Sequence, residues 1–140
     1  MLKTLWRIAT LSLGLVVFAA VPAHAQTNHW PSKPIKFIVP TPPGGSPDII
    51  SRLLAEELQK QLGQSVVVEN RAGGGGGIGM TAIARSAPDG YTIGYGNVNT
   101  LAINRTLFKK LAYDVDRDIA PVAQFSATSN LLVVRPPLEA

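Results

Sequence analysis

Residues 34–62 constrain this chain more than any other stretch. Pro34 to Val39 is a short β-rich run, and Pro40, Pro42, Pro43, Gly44 and Gly45 follow as a rigid turn. Ser46 and Pro47 then open a segment in which Ile49, Ile50, Leu53, Leu54, Leu58 and Leu62 recur every three or four residues. That spacing lays one apolar stripe along a helix running from about Pro47 to Leu62. Ser46 is the predicted N-cap, Pro47 suits the first helical position and Gly63 the end. A strand that turns through Gly and Pro into a helix presents backbone N–H groups and the positive end of the helix dipole together, which favours an anionic group.

The same rhythm continues. Val66 to Val68 is an unbroken β-branched run, of the kind a parallel sheet buries on both faces. Arg71-Ala72 and the five glycines Gly73 to Gly77 follow, and Met80 to Ser86 suits a second short helix. A turn at Ala87-Pro88-Asp89-Gly90 leads to a third strand, Tyr91 to Tyr95. Two βα units feeding a third strand predict an α/β fold: an open, mostly parallel sheet with flanking helices. Ligands of such sheets sit outside the carboxyl ends of the strands, where loops 40–48, 70–79 and 96–101 all fall. Farther on, Asn104 to Leu111 reads as a short helix and Asp114 to Asp118 as an acidic loop. Ile119 to Phe125 and Leu131 to Val134 read as two more strands.

Residues 1–25 read as a secretory leader. Lys3 and Arg7 give the positive start, Ile8 to Val21 the apolar core, and Ala23-His24-Ala25 the small-residue cleavage site. The apolar run is shorter than the ~20 residues a membrane span needs. Cleavage near Ala25/Gln26 would leave about 115 residues, enough for one modest domain. Lys3 and Arg7 are two of the 13 basic residues, so the remainder carries a formal charge of +2 against 9 acidic residues. Its basic residues are scattered, apart from Lys109-Lys110, which is no footprint for nucleic acid. With no cysteine there are no disulfides or thiolate metal sites.

Several motifs invite chemistry and compete with plainer readings. Gly44-Gly45-Ser46-Pro47-Asp48 puts a serine on a strand-to-helix turn. It lacks the second glycine of a nucleophile elbow, and the only histidines, His24 and His29, lie in the leader and the N-terminal arm. A capping serine in a tight turn is the simpler reading. Gly74-x-Gly76-x-x-Gly79 matches a dinucleotide fingerprint, but five consecutive glycines satisfy almost any spacing, and no acidic residue stands about 20 positions on to hold a ribose. The run is then either a plain connection or a loop whose bare backbone approaches a ligand closely, as only glycine permits. Asp114-x-Asp116-x-Asp118 begins like a calcium loop and fails at Ile119 and Phe125, where glycine and glutamate are required. Asn97, Asn99, Thr100 and Asn104 form a dense polar cluster at the same sheet edge.

Taken together, the residues carry a resemblance. Trp30-Pro31-x-Lys33-Pro34-Ile35, Ile38-Val39-Pro40, Pro43-Gly44-Gly45-x-x-Asp48, Val68-Glu69-Asn70-Arg71, Gly75-Gly76-x-Ile78-Gly79, Ala87-Pro88-Asp89-Gly90-Tyr91-Thr92, Thr100-Leu101-Ala102-Ile103-Asn104, Tyr113-Asp114 and Ala120-Pro121-Val122 closely resemble the Bug family. These are periplasmic substrate-binding receptors of tripartite tricarboxylate transporters. The resemblance implies a two-lobed, type II periplasmic binding protein-like fold that closes on a small organic carboxylate, a di- or tricarboxylate or an amino acid. It also implies the transporter's membrane components as partners, a periplasmic location, no cofactor and no enzymatic activity. Residues of loops 40–48 (Thr41, Pro43, Gly44, Gly45, Ser46, Asp48) and 70–79 (Asn70, Gly75, Gly76, Ile78) would face the carboxylate. Asn97, Asn99, Thr100 and Leu101 would line the same cleft. Backbone donors at helix starts would serve in place of a dedicated arginine or lysine.

Thr41, Ala72, Gly77 and Arg105 depart from the family pattern, where an aromatic, proline, a polar residue and proline are common. Family members are roughly twice as long. By resemblance, residues 26–126 form the N-terminal portion of a first lobe and 127–140 begin the crossover to a second. The chain as given is therefore expected to be a fragment, with the first lobe incomplete, the second largely absent, and binding weak or lost. The rival reading is an exported α/β enzyme or nucleotide-binding domain that uses the glycine loop. A β-branched residue at Gly45 is expected to abolish carboxylate binding.

Overall fold

β-Branched and aromatic residues build the centre of the sheet. In the computed structural model, which describes residues 29–129 and 133, β1 (Ile35–Val39) is flanked on both sides by parallel strands. β2 (Val66–Asn70) pairs with it from Ile35↔Val66 to Val39↔Asn70, and β3 (Thr92–Gly94) from Lys36↔Thr92 to Ile38↔Gly94. The order is β2-β1-β3. The chain divides into two units, Met1–Ser32 and Lys33–Ala140, and the second contains the sheet. The leader lies outside the described residues.

The central strand is buried almost throughout. Ile35, Phe37 and Val39 face one side of the pleat and join Ala55, Val66, Leu54, Leu58 and Leu62 in the main apolar cluster. Ile38 alternates to the other side, and Met80 is fully buried as well. α1 (Ser46–Leu62) packs on β1 and β2, whereas α2 (Gly77–Ala84) packs on β1 and β3. Gly63 closes α1 in the left-handed region, donating its N–H to Gln59 O at 3.0 Å.

Several details differ from the sequence reading. Ser46 is the first helical residue rather than the cap: Gly45 occupies the N-cap and no side chain caps there. Val67 is 54% exposed, because β2 is an edge strand among the described residues, with α1 on one of its faces and α2 packed over β1 and β3 instead. Ile49 and Leu53 point outward, at 53% and 59% exposure, so the buried stripe of α1 is Ser51, Ala55 and the partly buried Leu54, Leu58 and Leu62. α2 starts at Gly77 after a 3-10 turn at Gly74–Gly76, and β3 is only three residues long.

Beyond β3 the chain forms a wide π-turn over Asn99–Ile103, then α3 (Asn104–Leu107) and α4 (Val115–Asp118). The acidic segment is thus a helical turn, not an open loop. Asp114 caps it, accepting N–H groups of Asp116 at 2.9 Å and Arg117 at 3.1 Å. Ile119 to Phe125 forms no strand; its backbone has no ladder partner among the described residues, and Val122 is almost fully exposed. Of the predicted strand Leu131 to Val134 only Val133 is described, and it is not in a strand. Among the described residues no helix is long and apolar enough to cross a membrane.

Candidate functional site

A β2-β1-β3 order has a topological switch point, because the chain leaves β1 toward one side of the sheet and returns on the other. The loops after β1 and β3 leave the carboxyl edge of the strands there, the usual ligand position in open α/β sheets. All three loops named from sequence meet at this edge. Pro40, at the end of β1, lies so close to Gly79 that an added Cβ would stand 2.6 Å from its Cβ and 2.8 Å from its Cα. At Gly76 an added Cβ would meet Thr100 Cγ2 at 2.5 Å, and φ there is +88°. The glycine run is therefore an element of close packing between loops one, two and three, which a plain connection does not require.

Asp48 organises the first loop. It is 4% exposed, and its two carboxylate oxygens are divided between loop and sheet. Oδ2 accepts the Gly44 N–H at 2.8 Å, and Oδ1 accepts Asn70 Nδ2 and Arg52 Nη2, each at 3.0 Å. Asn70 also donates to the Thr41 carbonyl at 3.2 Å and accepts Arg52 Nη2 at 3.0 Å. The Arg52 guanidinium, followed by the Gly44 amide and Asn70, holds the Asp48 carboxyl down at about 2. Thr41 Oγ1 is buried on the same loop without a hydrogen-bond partner.

The second and third loops are tied by a buried polar group. Asn104 Nδ2 donates to the Gly75 carbonyl at 2.9 Å, and Tyr113 Oη donates to the Thr100 carbonyl at 2.7 Å. Both side chains are buried. Asn97 and Thr100 close a local turn, with Asn97 N–H donating to Thr100 Oγ1 at 3.0 Å and Thr100 N–H to Asn97 Oδ1 at 3.1 Å. The amides at the start of α2 are already engaged: the Gly73 carbonyl accepts from Gly76 at 3.0 Å and Ile78 at 3.4 Å. The Ile78 side chain is exposed, as are Pro43, Gly44, Gly45, Ser46 and Asn99, whereas Leu101 is half-buried.

The edge is nearly neutral for reasons visible in its pairing. Arg52 is committed to Asp48, and Arg71 to Glu69 at 2.6 Å, which holds the Glu69 carboxyl below its ordinary value. Backbone amides and neutral side chains therefore supply most of the polarity left to a ligand. Sequence reasoning passed over Arg52 and gave Tyr113, quoted only within the family resemblance, no role at the site. The i,i+4 spacing of Asp48 and Arg52 is a signal that could have found the first; nothing in the local pattern marks the second.

Residues 50–139 match the profile described as the tripartite tricarboxylate transporter family receptor. BugT of Bordetella pertussis is 42% identical over 125 residues, which cover 89% of this chain and 38% of BugT. Among solved structures, a periplasmic transporter is 49% identical, with a TM-score of 0.60 over 61% of this chain and 29% of that one. MatC of Rhodopseudomonas palustris, solved with bound malate, is 39% identical with a TM-score of 0.61 over 64% of this chain and 30% of MatC. An R. palustris protein solved with adipate is 36% identical with a TM-score of 0.60, over 62% and 29%. This chain thus spans little more than a third of BugT, a smaller share than the half expected from sequence. The profile match, the BugT identity and the shared periplasmic-binding fold agree: the chain belongs to the tripartite tricarboxylate transporter receptor family.

Proposed function

We propose that this chain is the N-terminal part of an exported receptor. It captures a small organic carboxylate between two lobes and presents it to the membrane components of a tripartite tricarboxylate transporter. Residues 1–25 are its cleaved leader, 26–126 belong to the first lobe, and 127–140 begin the crossover. The observation that carries the reading is the meeting of three glycine- and amide-bearing loops at one switch point, with the neighbouring arginines already committed to carboxylates. The malate and adipate held by its structural neighbours fit that chemistry.

In this reading Thr41, Gly44, Gly45, Gly75, Gly76, Asn97 and Thr100 surround the carboxylate. A carboxylate oxygen takes the place of the Gly73 carbonyl as acceptor for the Gly76 and Ile78 amides, since glycines at 73 and 74 let that peptide swing. Ligand favours closure only through contacts it makes with both lobes. The test is isothermal titration of the chain, alone and joined to the remaining part of MatC, with malate, adipate, ATP and NAD. Saturable carboxylate binding by the joined protein, without turnover, is the expected result. Nucleotide binding or hydrolysis would replace the receptor reading with the rival one.

A further inference from the structure

We infer that Asp48, Arg52 and Asn70 are positioning residues, a brace that shapes the first loop for its ligand without touching it. The inference rests on the carboxylate-receptor reading and refines it, because the family resemblance would set Asp48 and Asn70 against the ligand. Three observations carry it. Asp48 is buried, and each of its oxygens is taken: Gly44 N–H on one, Asn70 Nδ2 and Arg52 Nη2 on the other. The Asn70 amide is equally spent, donating to Thr41 O and Asp48 and accepting from Arg52. Arg52 Nη2 joins both, so the three side chains close a ring that spans the first turn of α1, the loop before it and the end of β2.

The chemistry points the same way. A carboxylate that met an anionic ligand directly would repel it, so a negative residue at an anion site is useful only when it is neutralised and turned inward. Arg52 performs the neutralisation from α1, one turn beyond Asp48. Asp48 also occupies the position at the helix start where an exogenous anion would otherwise dock. The ligand is left to meet the loop's outer backbone, whose shape the ring sets by fixing Gly44 and Thr41.

Amide hydrogen exchange at Gly44 and malate titration test this on the full chain joined to the remaining part of MatC. Asp48→Asn provides one acceptor where three donors converge. It should speed Gly44 exchange about tenfold or more and weaken malate binding by a similar factor. Arg52→Met, at a half-exposed side chain, should do the same with little change in thermal midpoint, and Arg52→Lys should restore most of the protection. Unchanged Gly44 exchange in the folded variants would overturn the inference. So would a loosened loop with malate affinity intact, because the ring would then be structural only. If the unmutated protein binds neither malate nor adipate, the receptor reading fails, and the brace stands or falls on Gly44 exchange alone.

Discussion

Asp48 ties acid stability to the geometry of the first loop. Its carboxyl is lowered from 3.8 to about 2 by Arg52, the Gly44 amide and Asn70, the groups that face it from α1, the loop and β2. A carboxyl with a lower pKa in the folded state adds stability above its unfolded value, and that stability is lost as pH falls through the folded value. The Asp48 contribution is therefore complete at neutral pH and fades from about 3.8 to about 2. Asp48→Asn should flatten that part of the acid limb in urea titrations run at successive pH values. Glu69, Asp89 and Asp118 are shifted in the same direction and should keep some slope.

The glycines separate folding from binding. Gly79→Ala drives a methyl into Pro40 and the Arg71 carbonyl, and should destabilise the fold by about 1–3 kcal/mol in urea unfolding. Gly45 is different. Its φ of −82° and ψ of 168° suit any residue, and an added Cβ meets only Pro47 Cδ, at 3.6 Å. Gly45→Thr places a β-branched N-cap there and should leave the unfolding midpoint nearly unchanged. A loss of malate binding in that variant then reports the approach of a ligand, not a damaged loop.

Among the elements, α1 offers the clearest contrast between sequence pattern and packing. Leu53 and Leu54 both count toward the apolar spacing of the helix, yet Leu53 is exposed and Leu54 packs on the core. Leu53→Ala should shift stability by no more than about 0.5 kcal/mol, and Leu54→Ala should cost about 1–2 kcal/mol, both read by chemical denaturation. Periodicity made the helix legible but left its rotation undetermined, because Ser51 and Ala55 are small enough to let α1 sit close on β1 and β2. The same limit appears at β2. Three consecutive valines signal a strand, and only the packing of α1 on one face reveals that Val67 alternates to the open side. Ser46 was a sound capping residue on composition, but Asp48 reaches back to Gly44 and takes over the loop. The hold of Asn70 on Asp48 from the end of β2 is the part that no local pattern announces.

For the whole molecule, what was legible came from local chemistry and what was not came from distance. The parallel sheet and the meeting of three loops followed from the βα rhythm. The tie from Tyr113 to Thr100, and that from Asn104 to Gly75, join segments whose proximity no spacing rule announces. Ile119 to Phe125 had strand composition but lacked a ladder partner among the described residues. Around the candidate site Val98, Ile103 and Leu107 are exposed apolar side chains. If a second lobe closes there, the chain joined to the rest of MatC should bind less of a hydrophobic fluorescent dye per molecule than the 140-residue chain alone, and less again with malate.

The central place of β1 also governs the order in which the molecule can assemble. Its ladders lead to residues 66–70 on one side and 92–94 on the other, with no hairpin partner nearby. During synthesis this oily segment thus emerges before either partner strand and must wait for α1 and both of its flanking loops before any hydrogen-bonded neighbour exists. Parallel pairing of this kind is slow and leaves the early chain prone to misassociation. If the chain is exported as proposed, that delay has a use, since a chain that folds late stays threadable.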